Sequence, residues 1–132
     1  VKGKEILKTN EKFFVGDPAL LYSVMGFQHR MISGILENIV LLELIRRGYR
    51  VFVGKIGDKE IDFIAEKSPD KVYVQVAWKI TEQSVIDREF SPLLQIRDNY
   101  PKYVVSMDET WQTSLEGVHH KNIADFLLLP DF

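Results

Sequence analysis

Between Val72 and Lys79 the chain alternates so that Val72, Val74, Val76 and Trp78 share one side of a β-strand, while Tyr73, Gln75, Ala77 and Lys79 share the other. A strand that is apolar on both sides belongs inside a sheet covered above and below. The flanking sequence supplies the cover. Gly34 to Gly48 reads as an amphipathic helix, opening after Ser33 and closing at Arg46-Arg47-Gly48, where cations and a glycine suit a helix C-terminus. Strands are expected at Tyr49–Val53, at Glu60–Glu66 after a Gly54–Asp58 turn, and at Val72–Trp78 after Ser68-Pro69-Asp70. A second helix is expected from Thr81 or Ser84 to Asp98, kinked or broken at Ser91-Pro92. Strands at Tyr103–Ser106 and Val118–Asn122 follow, and Ile123–Leu128 fits either a short helix or a terminal strand. Nearer the start, Phe13-Phe14-Val15 reads as a strand. Asp17-Pro18 then introduces a helix over Ala19–Met25 that Gly26 ends. The order predicts an α/β or α+β three-layer sandwich, a central mixed sheet flanked by helices.

The chain's 132 residues suit one domain, residues 1–132. Hydrophobic residues at 45% and charged residues at 27% exclude a disordered or coiled-coil chain. A net charge of −2 gives no global basic footprint for nucleic acid, so any such contact must be local. The absence of cysteine excludes disulfide scaffolds, thiolate metal sites and a thiol nucleophile together. No apolar run approaches the roughly 18 to 20 residues that span a bilayer, and a cytoplasmic location is expected. The chain opens with Val1 and a polar stretch to Glu11, which reads as a C-terminal fragment of a longer protein.

Three polar residues stand against the apolar pattern. Glu37 falls on the apolar arc of its helix beside Val40, Leu41 and Leu44. The carboxylate is either snorkelling and stabilised by the helix dipole, or aimed at the sheet for a purpose. Asp62 interrupts Glu60-Ile61-Asp62-Phe63-Ile64-Ala65, where alternation groups Ile61, Phe63 and Ala65 on one face and Asp62 with Ile64 on the other. It could simply face water. Gln75, however, intrudes on the neighbouring strand, and a hairpin pairing would bring Asp62 and Gln75 within cross-strand reach. Glu37 would approach from the covering helix, which makes a metal or acid/base constellation.

An acidic residue on a helix, an Asp on one strand, and a Glu or Gln followed two residues later by Lys on the next is the pattern of the PD-(D/E)XK nuclease superfamily. This chain resembles it. More closely, it resembles the uncharacterised C-terminal domain that follows the P-loop module of many bacterial and archaeal AAA-type ATPases. The resemblance runs through Lys12-Phe13-Phe14-Val15-Gly16-Asp17, Gly34-Ile35-Leu36-Glu37-Asn38-Ile39-Val40, Glu43 to Tyr49, Glu60 to Ala65, Tyr73 to Ala77, Arg88-Glu89-Phe90 and Asp98 to Tyr103. It implies a restriction-endonuclease-like fold and an upstream P-loop ATPase module in the same polypeptide. It also implies Mg²⁺ or Mn²⁺ held by Glu37, Asp62 and Gln75. The lysine position falls on Ala77, whose methyl group can neither polarise water nor stabilise an anion. Lys79, about 6.6 Å farther along the strand, and Lys102, at the start of another, are the candidate replacements.

Other signals are weaker. No G-x-x-x-x-G-K-[ST] occurs, so this chain has no phosphate-binding loop of its own. Adjacent His119 and His120 would point to opposite faces of a strand, which argues against a shared metal and for surface positions. Arg88, Glu89 and Arg97 read as a solvated ion-pair face, unless Arg88 faces a phosphate in a cleft. Trp78 reads as core. The expectation is a nuclease-like accessory domain with weakened catalysis, acting as a nucleic-acid-binding or regulatory module. The alternatives are an active Mg²⁺-dependent nuclease with a displaced lysine and a protein-interaction or oligomerisation domain.

Overall fold

The computed structural model describes residues 2–5, 29–109 and 114–132. The strand expected at Phe13–Val15, the helix expected at Ala19–Met25 and the Lys12–Asp17 motif lie outside the described residues. Within them the order is β1 (Lys2–Glu5), α1 (His29–Arg46), β2 (Arg50–Ile56), β3 (Lys59–Lys67) and β4 (Asp70–Val76). It continues with α2 (Gln83–Leu94), β5 (Lys102–Ser106), β6 (Ser114–Leu115), β7 (Val118–Asn122) and α3 (Ile123–Leu128). The described strands form one seven-stranded sheet in the order β1-β2-β3-β4-β5-β7-β6. Strands β1 to β4 run as an antiparallel meander, β4, β5 and β7 are parallel, and β6 closes antiparallel on β7. The fold is therefore the expected α+β three-layer sandwich around a mixed sheet.

One face of the sheet, with Phe63, Ala65, Val72, Val74, Val76 and Val105, packs on Leu36, Val40, Leu41 and Leu44 of α1 and Phe126 of α3. The other face, with Ile61, Ile64, Tyr73, Ala77 and Val104, packs on Phe90 and Leu93 of α2. Burial on both sides of β4 is thus what its double apolar pattern requires. No helix among the described residues is long and apolar enough to cross a membrane.

Helix α1 starts at His29, before the expected opening at Ser33. Nothing in His29–Ile32 breaks a helix, and the roughly 1 kcal/mol that Gly34 costs is outweighed by packing Ile32 on the core. Its end is as read. Gly48, at φ +92°, follows Arg47; its N–H bonds Ile45 at 2.9 Å and the Tyr49 N–H bonds Leu44 at 3.1 Å, the paired geometry of a Schellman cap. Ile45, next to the buried Leu44, is 40% exposed.

Strand β2 runs through Gly54 and Lys55, because β1 pairs with both, and the turn shrinks to Gly57-Asp58 with Gly57 at φ +62°. Helix α2 is not broken at Pro92. The proline sits in its last turn, where the helix ends at Leu94 and the Gln95 N–H bonds back to Pro92. Ile123–Leu128 is a helix, capped by the Asn122 side chain, which accepts from the Ala124 N–H at 2.8 Å.

Candidate functional site

The alternation expected along β3 fails at Asp62. Phe52 pairs with Ile64 but Gly54 pairs with Ile61, so Asp62 and Phe63 together oppose Val53 and the strand bulges. The bulge turns Ile61 and Ile64 to the α2 face while Phe63 and Ala65 face α1. Gly54 permits it: a Cβ there would sit 2.4 Å from Ile64 Cδ1.

The same point is where the sheet splits. Strands β3 and β4 pair from Lys67 and Asp70 up to Phe63 and Val74, and the ladder stops there, while β4 continues alongside β5 to Val76 and Val105. Side chains bridge the gap. The Asp62 N–H donates to Gln75 Oε1 at 2.6 Å, the Val76 N–H donates to Asp62 Oδ2 at 2.9 Å, and Gln75 Nε2 donates to the Glu60 carbonyl at 3.3 Å. Gln75, 3% exposed, thus applies both ends of its amide to the backbone of β3.

Two cavities adjoin this fork. One, about 580 Å³, is lined by Ser33 and Glu37 of α1, by Asp62, by the Val76–Lys79 segment and by Arg88 and Glu89 of α2. The other, about 800 Å³, shares Asp62, Arg88 and Glu89 and adds Lys59, Glu60, Gln75 and an apolar wall from Ile86, Pro92, Leu94 and Leu115. Glu37, Asp62 and Lys79 therefore line one cavity, and Gln75 meets Asp62 in the next. Among the described residues no three His, Cys, Asp or Glu side chains are grouped so as to hold a metal ion.

The candidate lysines differ. Strand β4 ends at Val76, so Lys79 is not on a strand face. It is exposed, with Nζ 5.2 Å from the centre of the Trp78 ring. Lys102 is buried away from the fork, its ammonium donating to the Asp98 carbonyl, Asp98 Oδ1 and the Tyr100 carbonyl, each at 2.9 Å. All three of its protons are used. Asp98 also accepts from the Tyr73 hydroxyl at 2.6 Å. Burial opposes ionisation of Asp98, but the Tyr73 and Lys102 bonds hold it below the usual carboxylate range. The same burial and Asp98 bond push the Tyr73 phenol upward.

Trp78, read as core, is half-buried and lines the smaller cavity beside Lys79. Arg88 reaches both cavities, paired with Glu89 at 3.1 Å. Lys59 was not singled out by its sequence; its ammonium donates to Ser91 Oγ across the larger cavity, a contact between distant segments that no local pattern signals. Behind the wall, Asp108 Oδ2 accepts from the Ile80 N–H at 2.7 Å and from Ser106 Oγ at 3.0 Å, and His120 Nε2 lies 2.7 Å from Ser106 Oγ. His119 and His120 do face opposite sides, but His120 is buried at 5% exposed, not a surface residue. Ser106 is fully buried between an acid and an imidazole, an arrangement that holds the Trp78–Ile80 segment and offers no accessible nucleophile.

No protein-family model matches the chain, and no solved structure matches it. An uncharacterised protein of Haemophilus influenzae is 43% identical over 128 residues, 97% of this chain. The chain spans 31% of that relative's length.

Proposed function

We propose that the chain is a nuclease-like accessory domain of a longer, cytoplasmic AAA-type ATPase, weakened in catalysis and used as a regulatory module. The observation that carries this reading is the side-chain bridge at the sheet's fork. The residues that match the superfamily's Asp and Glu/Gln positions are engaged with backbone, and the position matching its lysine is Ala77, 4% exposed. A regulatory role fits the cavities better than a nucleic-acid-binding one. Among the described residues seven carboxylates and three cations line them, an excess that repels phosphate unless a divalent cation intervenes.

The second reading, an active nuclease, is favoured by one observation: Lys79 lines the same cavity as Glu37 and Asp62. In that reading Glu37, Asp62 and the Gln75 oxygen would hold Mg²⁺ or Mn²⁺, which would activate water, and Lys79 would steady the phosphate. A cleavage assay with either metal on single-stranded, duplex and branched DNA and on RNA separates the two, with Asp62→Ala as control. The regulatory reading expects no cutting. Cutting abolished by Asp62→Ala would replace it with the second.

A further inference from the structure

We propose that the two adjoining cavities form a docking groove for a polypeptide segment carrying lysine or arginine beside apolar side chains. The proposal rests on the regulatory reading and names the chemistry of the partner. The cavities share Asp62, Arg88 and Glu89, so they make one groove along α2. Ile86, Pro92, Leu94 and Leu115 wall the larger part, and Val76 and Val85 the smaller. These surfaces reward aliphatic side chains, and volumes of about 800 and 580 Å³ accommodate several of them, far more than a single ion.

Charge selects among the occupants. Exposed Glu60, Glu82, Asp87 and Glu116 ring the apolar walls, and Glu37, Asp62 and Glu89 lie deeper. Among the described residues the lining cations are three against these seven carboxylates: Lys59 beside Ser91, Arg88 paired with Glu89, and Lys79 over the Trp78 ring. A nucleic-acid strand would bring further negative charge to this rim, whereas ammonium or guanidinium groups complement it. Rim charges contribute steering and selectivity, and the walls contribute most of the affinity.

The test measures binding of a labelled eight-residue peptide of alternating lysine and leucine to the 132-residue chain by fluorescence anisotropy at about 50 mM salt. An alternating glutamate and leucine peptide and a single-stranded oligonucleotide are the comparisons. The basic peptide is expected to bind roughly tenfold tighter than either. The rim reversal Glu60→Lys with Asp87→Lys is expected to weaken it by about tenfold, and the matched reversal Asp70→Lys with Asp131→Lys, outside the groove, by less than about twofold. Absence of peptide binding, equal losses from the two reversals, or tighter binding of the oligonucleotide would overturn the proposal. Metal-dependent cutting lost in Asp62→Ala removes the regulatory reading itself. A chain that neither cuts nor binds the peptide removes only the docking.

Discussion

Asp62 and Gln75 bridge the gap between β3 and β4 reciprocally: each side chain accepts from a backbone N–H on the other's strand, Gln75 from Asp62 itself and Asp62 from Val76. The two residues with the greatest apparent chemical potential thus also serve as the sheet's substitute for missing ladder bonds. Glutamine suits position 75 because the Glu60 carbonyl needs a donor, which an ionised glutamate lacks.

Gln75→Leu is expected to cost about 2 kcal/mol, since the Asp62 N–H and Glu60 carbonyl lose their partner in a buried site. Asp62→Ala should cost a similar amount through Val76. Urea melts of both variants and the double should show less than additive loss, because opening the gap forfeits both bonds. Strict additivity would mean that the two bonds do not act together.

Gly54→Ala is expected to destabilise by about 1 to 3 kcal/mol, its new methyl meeting Ile64 Cδ1 at 2.4 Å and Ile61 Cβ at 3.2 Å. Ile64→Val removes the closer of those atoms. The double variant should therefore be more stable than the sum of the singles predicts, by thermal or urea denaturation. A coupling of zero would place the strain elsewhere.

Glu43 anchors the end of α1 and, through Arg47, the C-terminus. It pairs with Arg46 and Arg47 at 2.7 Å, and Arg47 also bonds the Leu127 carbonyl and lies 4.4 Å from the centre of the Phe132 ring. The Arg46 bond, outweighing burial and assisted by Arg47, lowers the carboxyl from 4.5 to about 2. A depressed acid stabilises the fold above its unfolded pKa and loses that contribution as pH falls through its folded value. Stability that Glu43 supplies should disappear between pH 4.5 and about 2. Glu43→Gln should flatten that part of the curve while costing about 1 kcal/mol near neutrality, after allowance for solvent screening. Identical acid limbs in the two proteins would exclude the pairing as a source of acid sensitivity.

His120 titrates in the opposite chemical sense within a higher window. Burial lowers its pKa below 6.5, Asp108 opposes this and Lys121 reinforces it. A histidine kept neutral by the fold contributes fully above its unfolded pKa and loses that contribution as pH falls below it. Melting temperature should fall on acidification from pH 7.5 to 5, and His120→Gln should reduce the slope there. An unchanged slope would assign the titration to another group.

The fold was legible where local and long-range demands agree. The double apolar face of β4, the glycine after Arg46-Arg47 and the spacing of the strands all follow from alternation and capping. The approach of Glu37 to Asp62 was legible in the helical arc and the strand alternation, and Lys79 joined them only through the resemblance. The bulge at Asp62 was not, because a bulge is set by the register of β2 and by the space Gly54 leaves, neither of which β3 encodes alone. Trp78 was misread for a related reason. Its alternation with the valines is intact, but β4 ends at Val76, and beyond a strand's end side-chain direction follows the connection rather than the pleat. His120 was misplaced because its burial depends on Ser106 and Asp108 meeting it from another strand and loop.

A sheet resists bending because each strand is fastened to its neighbours along its length, and at the fork that fastening is reduced to a few side-chain contacts. The β1–β3 ribbon consequently has a seam beside it, and the width of the groove is tied to how far that seam opens. Whatever enters between Glu60 and α2 pushes on the ribbon rather than on a stiff wall, and amide exchange at Asp62 and Val76 would register that push first. Mechanical compliance is thereby concentrated along the groove, between the β1–β3 ribbon and α2.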